Sequence, residues 1–326
     1  MTERELVHTQ EEYGFKAGAD TFPLMCVLAL TYVCNAKCPS CVYTNSDIRG
    51  KYDDENMMSE EVFNTIADQV GDHSAWLRVS GGGEPLLHKR CLPFLEYAKS
   101  VGCKIGLITN GSRLDDRTIE RLLFAGVDMI EVSVDAASRE TYAVVRKGLK
   151  WDKLVRSVKK LVKRRNETRS PTKIIASGVN QVGVDIDKVA EFWEPLVDVF
   201  QKRKYLTWGI NDPGKSADTA PYLPPEDRIP CPFLFDRLLI DTRGRVMVCP
   251  FDVAGRTDMG NVRTHSIAQI WRGDLFEQYR RMHLARRGHE IDLCEGCQDW
   301  QYRSWQHNYW KIVARAEGTR KEMIEG

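Results

Sequence analysis

Through the first two-thirds of the chain, short apolar runs alternate with longer stretches whose hydrophobic residues recur every three to four positions. In βα units a strand is buried between helices, so this alternation predicts a parallel sheet or barrel. The expected strands are Met25 to Thr31, Trp76 to Ser80, Lys104 to Thr109, Met129 to Val134, Lys173 to Gly178 and Tyr205 to Ile210. The expected helices are Ser59 to Val70, His88 to Val101, Asp115 to Ala125, Trp151 to Arg165 and Asp187 to Gln201. Ser59 and Asp115 read as N-caps, and Gly102 and Gly126 as residues just past helix ends. Roughly six units are fewer than the eight of a closed barrel, so the expected fold is α/β, a partial TIM-type (β/α)6 barrel.

Asp212 to Pro225 is rich in Pro, Asp and Gly and lacks apolar periodicity, which reads as a linker or lid. The domain boundary is placed there: residues 1–225 for the barrel, 226–326 for a small α+β domain with a C-terminal helix. In the latter, Phe235 to Asp241 and Val246 to Cys249 flank Thr242-Arg243-Gly244, a hairpin signal, and Ser266 to Ala285 reads as a helix. Trp300, Trp305 and Trp310 recur near helical spacing, as a stripe packing on the barrel would. The basic run Lys159 to Arg165 suits the solvated end of a helix.

Hydrophobic residues at 42% and charged residues at 29% of 326 describe a globular chain rather than a disordered one. Lys+Arg 47 against Asp+Glu 46 leaves a net charge of +1, so no global field favours nucleic acid or an anionic membrane. Phe22 to Leu30 is too short to span a bilayer and follows the acidic Glu3, Glu5, Glu11 and Glu12, so no signal peptide is read and a cytoplasmic enzyme is expected.

Ten cysteines in so long a chain point to metal ligation rather than a disulfide scaffold. Cys26, Cys91 and Cys103 stand alone and read as inert buried thiols. Cys34-Asn-Ala-Lys-Cys38-Pro-Ser-Cys41 directly follows the first strand, at the carboxyl end where barrel enzymes carry their chemistry. Three thiolates this close can wrap one iron-sulfur cube and leave its fourth iron open. Cys231, Cys249, Cys294 and Cys297 form a second group, whose spacing alone also suits a structural zinc site.

The CxxxCxxC loop resembles that of the radical S-adenosylmethionine (SAM) enzymes, and further segments at predicted strand ends carry the same resemblance. Ser80-Gly81-Gly82-Gly83-Glu84-Pro85 is similar to the family's GGEP segment, which implies that Glu84 or nearby carbonyls receive the SAM ammonium. Thr109-Asn110-Gly111 and Ser133-Val134-Asp135-Ala136 resemble ribose- and methionine-contacting positions, and Arg146 is placed to pair with the SAM carboxylate. Taken singly, Asp135 also suits a helix N-cap and Arg146 a surface ion pair. Where many members have an aromatic residue before the third cysteine, this chain has Ser40, and Tyr43 is the substitute for packing on adenine.

The second group resembles the SPASM or shortened "twitch" extension, which carries an auxiliary 4Fe-4S cluster, so two 4Fe-4S clusters and SAM are the implied cofactors. Within the family the overall pattern is most similar to aminoglycoside epimerases of the neomycin C to neomycin B type. That resemblance makes Cys249 the catalytic hydrogen-atom donor to a substrate radical formed by the 5'-deoxyadenosyl radical. Cys231, Cys294 and Cys297 then remain for the auxiliary cluster with a non-cysteine fourth ligand. If Cys249 is instead the fourth thiolate, the reading becomes a dehydrogenase oxidising a secondary alcohol of an aminocyclitol; a zinc-stabilised, non-catalytic binding module is the alternative of another class. The implied partners are a polycationic aminoglycoside and an external electron donor such as a flavodoxin or ferredoxin. Carboxylates that could face the former are Asp47, Asp53, Asp54, Glu55, Asp212, Asp252 and Asp258, each of which also suits a solvated loop.

Overall fold

The computed structural model describes residues 19–208, 212–218 and 230–297. The aromatic stripe at Trp300, Trp305 and Trp310, the acidic amino-terminal segment and the 225/226 boundary lie outside these residues, as does the second half of the linker.

Strands β1 (Met25–Leu28), β2 (Trp76–Val79), β3 (Lys104–Thr109), β4 (Met129–Ser133), β5 (Lys173–Asn180) and β6 (Val199–Lys204) lie side by side in sequence order, every neighbouring pair parallel. The fold is therefore α/β with a partial barrel. Alternate residues divide the sheet into two faces. Cys26, Leu28, Leu77, Val79, Ile105, Leu107, Ile130 and Val132 join the large core shared with the helices. Met25, Val27, Met129, Ile175 and Val199 form a smaller apolar cluster on the opposite, inner face.

Above that inner cluster the same parity carries charge. Glu131, 2% exposed, accepts from the Arg203 guanidinium (Nε to Oε1, 2.9 Å) and lies 3.7 Å from Arg78 Nη2. Burial pushes the Glu131 carboxyl up, but Arg203 and Arg78 outweigh it and hold it below the ordinary value.

The hairpin strands β7 (Arg237–Ile240) and β8 (Val246–Met247) pair antiparallel and extend the barrel sheet. β7 lies parallel to β1 in the register Met25↔Arg237 to Leu28↔Ile240, giving one eight-stranded sheet in the order β6-β5-β4-β3-β2-β1-β7-β8. Residues far apart in the chain thereby flank the cysteine loop that follows β1.

Most element positions agree with the sequence pattern. Ser59 caps the helix Glu60–Asp72 through Val62 N, and Asp115 caps Asp116–Phe124 through Thr118 N. The helix expected from His88 begins only at Cys91, because the buried His88 ring turns inward, Nε2 3.0 Å from Met58 O and Nδ1 accepting from Arg90 N. The helix expected over Asp187 to Gln201 ends at Trp193, and Glu194-Pro195-Leu196 form a single 3-10 turn. The sixth strand is consequently Val199–Lys204 rather than Tyr205 to Ile210. Its Val199, Gln201 and Arg203 share the inner face while Lys202 and Lys204 point away, so charge masks its strand character. Ser266 to Ala285 is two helices, Ile267–Trp271 and Asp274–Leu284, broken at Gly273, whose extended backbone starts the second.

Candidate active site

After β1 the chain crosses the carboxyl end of the sheet, pinned by Met58 N to Leu30 O (2.9 Å) and Tyr32 N to Asn56 O (2.8 Å). The cysteine loop then folds on itself: Ala36 N donates to Cys34 Sγ (3.4 Å), and Cys41 N to Cys38 O (3.0 Å). Lys37 N donates to Lys147 O (2.8 Å), which ties the loop to the segment after β4. Cys34, Cys38 and Cys41 line one cleft with an empty volume of about 670 Å³ that includes open solvent.

Gly81, Gly82, Gly83 and Glu84 form a second wall. Two of these glycines cannot be replaced without moving the cysteine loop. A Cβ on Gly82 (φ +64°) would stand 2.6 Å from the Tyr32 ring, and one on Gly83 would stand 2.2 Å from Val33 O. Glu84 N donates to that same Val33 carbonyl (2.9 Å). The Glu84 carboxylate is buried and takes Thr109 Oγ1 and Leu86 N on Oε1 and Asn110 N on Oε2, so it brackets the ends of β2 and β3 together. Burial pushes its carboxyl up, against the pull of those donors.

Thr109, Asn110, Ser133, Arg146 and Tyr43 also line the cleft. The Asn110 amide is shared with the loop, Nδ2 donating to Asn35 Oδ1 (3.0 Å). Pro85 and Asp135 are not in the wall: Pro85 is buried at the start of the turn Pro85–Leu87, and Asp135 lies beneath Arg146. Asp135 is not the N-cap of the next helix, a part taken by Ser138. Instead its Oδ2 meets Arg146 Nη2 at 2.6 Å while Oδ1 accepts Val179 N at 2.8 Å. Nor is Arg146 a surface pair, since its side chain is 14% exposed and Nη1 reaches Cys38 Sγ at 3.7 Å.

Tyr43 stands in the wall with its ring 5.6 Å from Tyr32, which is itself stacked on Tyr52 at 3.7 Å. Tyr32, Arg49 and Asn35 contribute to this region without having been singled out from the sequence. For Tyr32 the usable signal was its place directly after the first strand; Arg49 offered none.

A resident cluster suits this donor set. Among the described residues no three His, Cys, Asp or Glu side chains gather tightly enough to hold a single metal ion. A cube instead takes thiolates spread round a larger body, each on its own iron. Burial pushes the Cys41 thiol up to about 11, reinforced by Cys38 and Cys34 beside it, and burial likewise raises Cys34. Thiols so close and so reluctant to ionise unaided gain from a cationic metal body among them.

Cys249 is not in this cleft. It lines a second cavity, of about 650 Å³ including open solvent, together with Cys231, Cys294 and Cys297. Cys231 N donates to His283 Nδ1 (3.3 Å), and Cys249 Sγ accepts Phe251 N (3.4 Å). The two cavities are neighbours: the Trp208 ring packs on Phe251 at 4.2 Å and also joins the apolar cluster of Tyr32, Tyr43 and Tyr52. The lone thiols Cys26, Cys91 and Cys103 are all buried, and burial raises each of them.

A family model described as the radical SAM superfamily matches residues 28–192. The chain belongs to the radical SAM superfamily. A second model, the iron-sulfur cluster-binding domain SPASM, matches residues 231–298. The cofactors of this radical SAM enzyme are therefore SAM and a 4Fe-4S cluster, with further iron-sulfur in the SPASM region.

Among curated relatives, molybdenum cofactor biosynthesis protein 1 of Dictyostelium discoideum is 28% identical over 159 residues, 48% of this chain and 25% of that protein. The tungsten-containing aldehyde ferredoxin oxidoreductase cofactor-modifying protein of Pyrococcus furiosus is 26% identical over 188 residues, 56% of this chain and 48% of that protein. The chain thus spans no more than about half the length of either. Among solved structures, BtrN in complex with AdoMet and 2-DOIA has a TM-score of 0.56 at 19% identity, covering 85% of this chain and 94% of that one. SuiB of Streptococcus suis bound to S-adenosylmethionine has a TM-score of 0.63 at 16% identity, covering 90% and 76%. At such identities the likeness is one of fold. No described helix is long and apolar enough to cross a membrane.

Of the acids considered for a cationic substrate, Asp252 is fully buried and accepts Arg256 N and Thr257 N and Oγ1. Asp54 and Glu55 pair with Arg243, and Asp212 caps Gly214 N. Asp258 takes Gly260 N, whereas Asp47 and Asp53 stand exposed with no ion pair among the described residues.

Proposed function

We propose that the protein is a radical SAM epimerase that inverts a sugar-carbon stereocentre of an aminoglycoside, in the manner of neomycin C to neomycin B conversion. The observation that carries the proposal is the position of Cys249. It immediately follows Val248 at the end of the barrel-sheet hairpin, and its neighbour Phe251 packs on Trp208, beside the tyrosines of the SAM cleft.

In this reading Cys34, Cys38 and Cys41 hold the cluster, Arg146 faces the SAM carboxylate with Asp135 orienting it, and Tyr43 packs on adenine. When bound, the cluster and SAM would supply the hydrogen-atom abstraction at the sugar carbon. Cys249 then returns a hydrogen atom from the opposite face: its S–H bond breaks, a C–H bond forms, and one electron and one proton from outside restore the thiol. The Phe251 N–H on Cys249 Sγ fixes the direction in which that hydrogen is offered. Exposed Asp47 and Asp53 are the free carboxylates nearest in sequence to the cysteine loop that could meet substrate amines.

The shared cavity of Cys249 with Cys231, Cys294 and Cys297 favours a second reading, in which Cys249 is the fourth auxiliary thiolate and the enzyme oxidises a secondary alcohol. Anaerobically reconstituted Cys249→Ala separates them. As an epimerase the variant keeps about eight irons, cleaves SAM and fails to complete inversion; wild type run in deuterium oxide places deuterium on the inverted carbon. Loss of auxiliary iron from the variant, with a wild-type product two hydrogens lighter, would instead establish the dehydrogenase. A colourless, zinc-loaded wild-type preparation would remove both.

A further inference from the structure

Although the chain as a whole balances 47 basic against 46 acidic residues, the surface beside the first cysteine loop does not. Lys37, Arg113, Lys147, Lys150 and Lys153 are exposed there, and none has an ion-pair partner among the described residues. They belong to one surface. Lys37 N bonds Lys147 O, Asn35 Nδ2 bonds Ser112 Oγ next to Arg113, and Arg113 and Lys153 both act on Asp115. The acids of these segments are engaged: Asp152 pairs with Arg139, Asp116 with Lys160, Asp115 caps its helix, and Glu140 is held by its own backbone N–H, Ser138 and Arg139.

This surface lies directly outside the cleft. Lys37 immediately precedes Cys38, and Lys147 follows Arg146, whose guanidinium reaches Cys38 Sγ. We propose that this basic face docks an acidic one-electron carrier protein, which reduces the cluster through the Cys38 side of the loop. The inference rests on the reading that Cys34, Cys38 and Cys41 hold the cluster. In the step itself the carrier is oxidised by one electron and the cluster reduced by one; no bond breaks and no proton moves. Complementary charge mainly speeds the encounter, and that effect is screened beyond about 10 Å at 0.1 M salt.

The test uses full-length, reconstituted enzyme with a reduced, acidic plant-type ferredoxin as probe and dithionite as a reductant that needs no docking. Lys150→Glu with Lys153→Glu, which leaves the cysteine loop untouched, should slow cluster reduction by ferredoxin at low salt by at least about tenfold, and leave dithionite-driven SAM cleavage unchanged. The wild-type advantage should shrink as salt rises. Lys37→Glu with Lys147→Glu, which touches the loop, should give a larger loss of ferredoxin-driven reduction, and Arg156→Glu with Lys159→Glu, further along the helix Trp151–Glu167, should give none. Equal ferredoxin rates in wild type and both docking variants, or an equal loss in the Arg156/Lys159 control, overturns the docking face. Failure of wild type to cleave SAM with dithionite overturns the cluster assignment instead, so the two failures are distinguishable.

Discussion

The two cysteine-lined cavities differ in how the chain builds them. In the first, Cys34, Cys38 and Cys41 fall within one short loop, and the rest of the wall comes from successive strand ends braced by Glu84. In the second, Cys231, Cys249 and the Cys294/Cys297 pair come from three separate segments that only folding brings together. A loop can carry its ligand spacing wherever a strand ends; a dispersed set depends on every element between its members. The first cavity should therefore be the chemical centre and the second the more fragile accessory.

The sharpest way to break that comparison is to remove one cysteine from each. Cys38→Ala should lose about four irons and all measurable 5'-deoxyadenosine, whereas Cys294→Ala should lose a comparable amount of iron yet still cleave SAM. Equal loss of SAM cleavage in both would show that the cavities do not act separately.

A smaller effect is expected in the sheet that both cavities share. Glu131→Gln leaves Arg78 and Arg203 without their buried carboxylate, at a cost of about 3 kcal/mol at pH 7. Because Glu131 is held below its ordinary value of 4.5, its stabilisation is present above that pH and disappears as pH falls through the lower folded value. Denaturant melts of both proteins should accordingly converge in acid, and a difference that persists there would assign the effect to packing rather than charge.

Glu84→Gln turns one acceptor of the bracket into a donor facing another donor, at a cost of about 2 kcal/mol. It should weaken SAM binding, measured by titration calorimetry, while leaving auxiliary iron in place. The smallest effect belongs to the second region. Ser266→Ala removes one half of the capping box with Gln269, which should cost about 1 kcal/mol and lower Tm without changing SAM binding.

Much of the first cavity was legible because its signals are local. The cysteine spacing, the glycine run and the caps at Ser59 and Asp115 each act within a few residues. Position along the chain did not disclose that Asp135 serves Arg146 rather than a helix, or that Glu84 spends its carboxylate on β3. Tyr32 was overlooked for the same reason, since its contact with Gly82 joins the ends of two different strands. The late strand at Val199–Lys204 was misplaced because its outward lysines hide an alternation that becomes visible only when β5 lies beside it.

By itself the sequence determined the βα order and the three-thiol loop, since both follow from short-range periodicity and covalent spacing. Tertiary structure alone decided that the hairpin strand Arg237–Ile240 completes the sheet beside Met25–Leu28, and that the cavity of Cys249 adjoins the first cleft through Phe251 and Trp208. Pairing across such separations is selected by burial and backbone hydrogen bonding in the folded whole, and no local pattern encodes it.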